Sequence, residues 1–353
     1  MTAEPSWLTF YGMTLSVVLA LVTASSARLW ADDSQILINA APSPSDIPET
    51  DSTAVAAIKL IEAMADALNL LTYEGEFVHA QGTSLTSMQI MHSPGTERLR
   101  ALDGEARIVF RDDTLVTCIW PDTQSVVVSK SRPRELLPQV DRSLADNDNY
   151  VFSLGTLDRV AGRQTKIVEV RPRDQFRYGY RFWVDSGTSM LLRSMLLDNA
   201  GRPVEQIIFT EISFPEHLDS TLLDIPDSKA NASWLLPKKA SATALLDEQN
   251  PLGADRVQFG ELPRGYREVA ETYSLKAISD EPVSHVMLSD GMSSVSVYVE
   301  YSLAGEKVTV QGHSQMGAIN AYSLSTPSAL ITAVGEVPAA TVKALAEAVV
   351  LVE

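Results

Sequence analysis

Five histidines, one cysteine and a short run of arginines are the residues of this chain most able to do chemistry. Their spacing limits what they can do. His79, His92, His217, His285 and His313 are scattered, and none forms a pair at the intervals that put two imidazoles on one metal ion. Gly312-His313-Ser314-Gln315-Met316 approaches the G-x-S-x-G elbow that exposes a nucleophilic serine. Met316 takes the place of the last glycine, however, and the pattern that follows reads as a strand where the elbow needs a helix. Asp146-Asn147-Asp148-Asn149 begins like a calcium loop but lacks the glycine at position six, and Leu157 stands where the bidentate glutamate belongs. Asp112 and Asp113 are neighbours, so a strand would turn them to opposite faces, which is wrong for an acid–base pair. Cys118 lies in a strand-like run and reads as a small buried apolar group. No phosphate-binding glycine loop occurs. These observations predict a protein that binds rather than catalyses, with neither cofactor nor metal.

Two features point to binding. Arg171, Arg173, Arg177 and Arg181 cluster in an otherwise acidic chain, and Arg177 and Arg181 share strand parity, which would aim them at one face. They are candidates for holding phosphate or carboxylate groups, set against ordinary pairing with nearby acids. Lys130, Arg132 and Arg134 form a similar group. The second feature is the stretch from Tyr178 to Phe214, whose strands are apolar on both faces. Tyr178, Tyr180, Phe182 and Val184 share one parity and Trp183 has the other. Leu191, Met195 and Leu197 oppose Leu192 and Leu196, and Ile207 and Phe209 oppose Ile208 and Ile212. A one-sided sheet would show a polar face. Two coverings are therefore expected, one a helix and the other a second sheet, the second domain or an apolar ligand. Phe182, Trp183, Leu192 and Phe209 are the ligand-cavity candidates.

The elements that must position these residues follow from periodicity. Thr53–Leu71 carries Ile58, Ile61, Met64, Ala65, Leu68 and Leu71 at helical spacing, with Ser52 as N-cap. Short strands separated by turn signals are expected at 76–80, 87–92, 97–102, 105–111, 114–120 and 125–129. They resume at 165–171, 176–184, 189–198 and 205–214, and residues 132–149 form a break. A helix with about ten antiparallel strands is the pattern of an unclosed barrel wrapped over a helix. Beyond the Ala/Ser-rich stretch 228–252 a smaller domain is expected, with a hairpin about Asp290-Gly291, strands at 307–311, 318–324 and 329–334, and a helix starting at Pro338.

The predicted organisation is a signal sequence or anchor at 1–31, a leader rich in Ser, Pro and Asp at 32–52, a large domain at 53–227, a linker at 228–252 and a small domain at 253–353. Phe10–Ala27 is apolar, with an export-signal core, although Met1–Gly12 has no basic residue. The net charge of −17 and the absence of any Lys/Arg-rich tract exclude nucleic acid as a partner.

Three groups of residues carry a family resemblance. They are Arg159-Val160-Ala161-Gly162-Arg163 with Val170-Arg171-Pro172-Arg173-Asp174; Phe176 through Asp185, continued by Leu191–Ser194 and by Gly201 to Phe209; and, in the second domain, Leu262-Pro263-Arg264-Gly265-Tyr266, Leu288-Ser289-Asp290-Gly291 and Val334-Gly335-Glu336-Val337-Pro338. Together they resemble the MucB/RseB family of sigma-E regulatory proteins, over nearly all of residues 53–350. The resemblance implies a mainly β, α+β fold: a LolA/LolB-like unclosed antiparallel barrel over helices with an apolar cavity, and a smaller mixed β/α domain, a mixed sheet with a helix. It implies a periplasmic protein that binds the periplasmic part of an inner-membrane anti-sigma factor of the RseA/MucA type and shields it from proteolysis. Lipid-like signals, such as lipopolysaccharide or lipoprotein acyl chains, would release it. A homo-oligomer is left open. The competing expectation is a periplasmic lipid or lipoprotein carrier.

Overall fold

The structure is a computed structural model that describes residues 51–130, 147–225, 257–275, 282–301 and 311–351. The signal segment, all of the leader but Asp51 and Ser52, the whole linker, Arg132 and Arg134, and most of the strand expected at 307–311 lie outside the described residues.

Helix α1 (Asp51–Leu70) opens the described chain, already helical at Ser52, the residue expected to cap it. Ala57, Ile61, Met64 and Leu68 are buried on one stripe, at the i, i+4, i+7, i+11 spacing of a single helical face. Ten or more apolar side chains of this size contribute about 1.5–3 kcal/mol each when buried, so this stripe and its partners dominate the stability of the large domain. The strands that follow are β1 (Tyr73–Gln81), β2 (Ser84–Ser93), β3 (Thr96–Ala101), β4 (Ile108–Asp112), β5 (Leu115–Trp120), β6 (Ser125–Lys130), β7 (Tyr150–Val160), β8 (Arg163–Pro172), β9 (Gly179–Asp185), β10 (Leu191–Leu197) and β11 (Pro203–Ser213). They form one antiparallel sheet in the order β6-β5-β4-β3-β2-β1-β11-β10-β9-β8-β7, unclosed between β6 and β7.

Strand β7 was not expected. A bulge between Leu154 and Leu157 breaks its alternation, and Gly155 removes a side chain where Ile167 of β8 packs close. A second bulge, between Leu191 and Arg193, sets two residues opposite Val184, and Leu191 and Leu192 are both buried. Strict alternation had assigned these leucines to opposite faces.

The small domain contains β12 (Gln258–Phe259), β13 (Arg267–Leu275), β14 (Pro282–Ser289), β15 (Ser294–Tyr301), β16 (Gly312–Met316), β17 (Ile319–Ser325), β18 (Ala329–Gly335), helix α2 (Ala339–Glu347) and β19 (Val349–Val350). Six of these strands form a sheet ordered β13-β14-β15-β18-β17-β16, and β12 pairs with β19. Every described pairing is antiparallel, whereas the resemblance implied a mixed sheet. Pro338 caps α2, as its fixed φ favours, and Val342, Leu345 and Ala346 bury against Val286, Val297, Ile331 and their neighbours. The two sheets have separate cores, with one exception: Met292 and Ala318 of the small domain belong to the core of the large one.

Candidate functional site

Register shows which side chains share a face. Tyr180, Leu196, Glu205 and Gln81 form one row across β9, β10, β11 and β1, and Phe182, Ser194, Ile207 and His79 form the next. Tyr73 lies on the same side of β1, and its hydroxyl donates to the Leu68 carbonyl at the end of α1. This inner face therefore carries the helix. It also carries the small domain, because the Tyr180 hydroxyl donates to the Met292 carbonyl at 3.4 Å. The two coverings expected on opposite faces lie side by side on one.

Phe182, Leu192 and Phe209 are fully buried, in one cluster with Ile61, Met64 and Leu68 of α1. Trp183 lies on the outer face and is still only 4% exposed. Arg193 stacks on its ring at 4.3 Å, and its indole N–H donates to Asp158 at 2.7 Å. Asp158 is held below the usual carboxylate range by the Arg159 backbone N–H and by this indole. A cavity of about 580 Å³ lies elsewhere, between β3–β5 and residues 221–225, and none of the four cavity candidates lines it.

The four arginines do not form one patch. Arg171 and Arg173 are exposed. Arg181 is paired with Glu169, directly opposite on β8, at 2.8 Å. Strand β9 starts at Gly179, so Arg177 falls in the preceding turn, and its expected parity with Arg181 does not apply. Arg177 is fully buried and bridges the domains, which removes it as a contact for an outside anion. Its Nε donates to Asp290 Oδ2 at 2.6 Å, Nη1 donates to Asp174, and Nη2 donates to the Arg264 carbonyl. The guanidinium also packs on the Tyr266 ring at 5.0 Å. The Tyr150 hydroxyl adds a 2.8 Å bond to Asp290, and burial followed by the charge of Asp290 pushes the Tyr150 phenol well above its usual range.

The polar contacts around this pair complete a continuous junction. Thr341 donates to the Phe176 carbonyl at 2.7 Å, Asn147 donates to the Asp290 carbonyl at 2.8 Å, and Asn320 donates to the Tyr178 hydroxyl at 3.0 Å and the Val337 carbonyl at 2.8 Å. Gly265 has a φ of +85°, and a Cβ there would collide with Asn149, so glycine is needed for both conformation and approach. At the far side His79 Nε2 lies 2.7 Å from Glu205 Oε1, Gln81 donates to Glu205 Oε2 at 3.1 Å, and Glu336 of the small domain also bonds to Glu205. Burial works against the Glu205 charge, but these bonds, that from His79 foremost, hold its carboxyl below the usual range.

The segments that carried the family resemblance thus meet in space: Asp174, Arg177, Tyr178 and Tyr180 from the large domain face Arg264–Tyr266, Asp290 and Val337 from the small one. Sequence reasoning marked these segments but missed Tyr150, Asn149, Asn320 and the role of Asp290. A usable signal was the chemistry of the pair itself, since an arginine inside an aromatic run needs a buried carboxylate, and Asp290 heads a turn in the other domain.

Among the described residues no three His, Cys, Asp or Glu gather as metal ligands. Ser314 lies on β16, an exposed strand rather than an elbow, and His313 is bonded to Asn320 at 2.6 Å. Cys118 is only partly buried. The loop Asp146–Asn149, as far as it is described, stitches the domains through Asn147.

Comparison with known proteins agrees with this architecture. The family model described as the MucB/RseB N-terminal domain matches residues 56–233, and that of the C-terminal domain matches 253–350. The sigma-E factor regulatory protein RseB of Haemophilus influenzae is 26% identical over 302 residues, covering 84% of this chain and 91% of its own length. The sigma factor AlgU regulatory protein MucB of Pseudomonas aeruginosa is 28% identical, with 81% and 88% covered. A crystal structure of MucB in complex with MucA(peri) superposes with a TM-score of 0.63 at 25% identity, covering 84% of this chain and 99% of that one.

Proposed function

Because the chain belongs to the MucB/RseB family, we propose that it is a periplasmic negative regulator of a sigma-E-type envelope stress response. It binds the periplasmic region of an anti-sigma factor of the RseA/MucA type and shields it from proteolysis. The observation that carries this reading is the likeness, over almost the whole of that chain, to a MucB captured with MucA(peri). The protein acts by binding, not by catalysis. Arg171 and Arg173, exposed beside the domain junction, are the proposed contacts for anionic groups of the partner or of a lipid.

A lipid-like signal releases the partner if it binds the free form more tightly than the complex. In the described state Phe182, Leu192 and Phe209 are covered by the protein itself, so an acyl chain reaching them must displace α1 or the small domain. The same closure weighs against a dedicated lipid carrier, which needs an open receptacle and no second domain. Co-purification with the periplasmic region of the anti-sigma factor, with and without lipopolysaccharide, tests the reading. The expected result is a complex at micromolar concentrations that lipopolysaccharide dissociates, and failure to form any complex overturns it.

A further inference from the structure

At the far side of the junction from Arg177, the two domains bring a pair of carboxyl groups together. Glu205 comes from β11 of the large sheet and Glu336 from the segment between β18 and α2 of the small domain, and their side chains are hydrogen-bonded. Both are held in place. Glu205 lies in the inner row with Tyr180, Leu196 and Gln81, and its side chain is 11% exposed. His79 Nε2 stands 2.7 Å from its Oε1, and Gln81 donates to its Oε2 at 3.1 Å. Gln81 is itself gripped by the small domain: Gly317 in the β16–β17 turn has a φ of +60°, and a Cβ there would collide with the Gln81 side chain. Glu336 is followed by Val337, which is fully buried and whose carbonyl accepts from Asn320 at 2.8 Å, and by Pro338 at the start of α2.

A hydrogen bond between two carboxyl groups needs a proton, since an ionised carboxylate only accepts. Sharing one proton also relieves the repulsion of two like charges in a largely buried site. The remaining bonds say where that proton sits. Glu205 already accepts from Gln81 and faces the His79 ring, and these contacts favour its charged form. Glu336 is therefore the donor. The titratable groups facing the pair are His79 from β1, Tyr180 from β9 and Tyr178 from the turn before it, while Leu196 from β10 does not titrate. Burial before all else pushes both phenols above their usual range, so they stay neutral, and Asp198 and Asp290 act on them from further off. We infer that the closed junction holds a proton between Glu205 and Glu336 that the separated domains give up, so that the coupling of the two domains weakens as pH rises. Separated, Glu336 faces water and is ionised above about pH 4.3. Joined, it keeps its proton to a higher pH. Its contribution is therefore complete below about pH 4.3 and is lost as pH rises through the value at which the joined pair ionises. A proton acts here as a ligand of the closed arrangement. This goes beyond the regulatory reading and does not depend on it.

Glutamine tests this directly, because its amide N–H donates to Glu205 without a titrating proton. Urea unfolding of the full chain is measured from about pH 5 to about pH 9, and groups that titrate elsewhere cancel in the comparison of variants. The native chain should match Glu336→Gln at the acid end and fall away from it as pH rises. The ratio of their folding constants should change by up to about tenfold per pH unit, the limit for one proton. At the alkaline end the native chain should be no more stable than Glu336→Ala, in which the bond is absent. Near pH 6, unfolding should release about one proton more from the native chain than from Glu336→Gln, counted with an indicator dye in weak buffer. If Glu336→Gln does not fold, Glu336→Ala is the reference for both measurements, with a native advantage in acid that vanishes in alkali. A native profile that runs parallel to that of its reference across the range overturns the inference, because a purely structural contact gives that result. So does a Glu336→Ala chain that keeps the native pH dependence, or an equal release of protons.

Discussion

Two hairpin turns in this molecule are built alike and used differently. The β9–β10 turn begins with Asp185, which accepts from the Gly187 and Thr188 N–H groups and the Thr188 hydroxyl. The β14–β15 turn begins with Asp290, which accepts from the Met292 and Ser293 N–H groups and the Ser293 hydroxyl. Both are aspartates bonding their own backbone two and three residues on, a local device that needs nothing else from the fold. Each aspartate then takes an arginine. Asp185 takes Arg163 from the adjoining strand, at 2.9 and 3.0 Å, with the Arg163 side chain 35% exposed. Asp290 takes Arg177 from the other domain, 113 residues away, with both side chains at 0% exposure. The first pair sits partly in water and trims a hairpin. The second has lost its hydration and must be matched on every side, so it commits the two domains to one arrangement. Such a pair adds little net stability over a well-packed apolar one, but it penalises every arrangement that separates its members.

That contrast is open to direct tests, and the largest effect is expected at Asp290. Asp290→Ala leaves the Arg177 charge buried with only part of its partners, and should cost about 3–5 kcal/mol in urea unfolding. Arg177→Met combined with Asp290→Leu should recover much of that loss while weakening the coupling between the domains, read as separate unfolding transitions. A single-site loss below 1 kcal/mol would mean that the junction pair is no more demanding than the partly exposed one. Asp185→Ala, which loses the turn cap and the Arg163 bond together, should cost about 2 kcal/mol. Tyr150→Phe removes one bond to Asp290 while leaving Arg177 in place, and should cost about 1 kcal/mol. Arg163→Met, which leaves the buried Asp185 carboxylate with its Gly187 and Thr188 bonds but without its arginine, should cost about 1 kcal/mol.

The acid limb of stability offers a last, smaller test. Burial opposes the charge of Asp185, yet the bonds from Arg163 and Thr188 hold its carboxyl below the usual range. A lowered folded value means that the unfolded chain takes up the proton first. The contribution is therefore full above about pH 4, where an ordinary aspartate is ionised, and is lost as pH falls through the lowered value. Asp185→Asn should flatten the decline in stability below that point, measured by thermal unfolding across pH 2–5; an unchanged slope would remove Asp185 from the acid response.

Much of the fold was legible because it rests on local rules. The α1 stripe, most of the strands of the large sheet and the Asp290-Gly291 hairpin follow from period and turn chemistry. Strand β7 was not legible, since a bulge moves Leu157 out of phase with Leu154 and periodicity is the signal that bulges erase. The same holds for Leu191 and Leu192. The candidate site was legible in its segments but not in its assembly. Four arginines in eleven residues looked like one patch, and they became an exposed pair, a strand-pair salt bridge and a buried bridge between domains.

The sequence by itself determined where Asp185 and Asp290 would turn the chain, because an aspartate reaches its own backbone in any setting, and it determined the family through residues scattered over both domains. Only the tertiary structure decided that Arg177 serves Asp290 rather than a ligand, and that helix and small domain share one face of the sheet. A buried charge finds its partner through the packing of elements far apart in the chain, and no local pattern records which distant carboxylate that packing will supply.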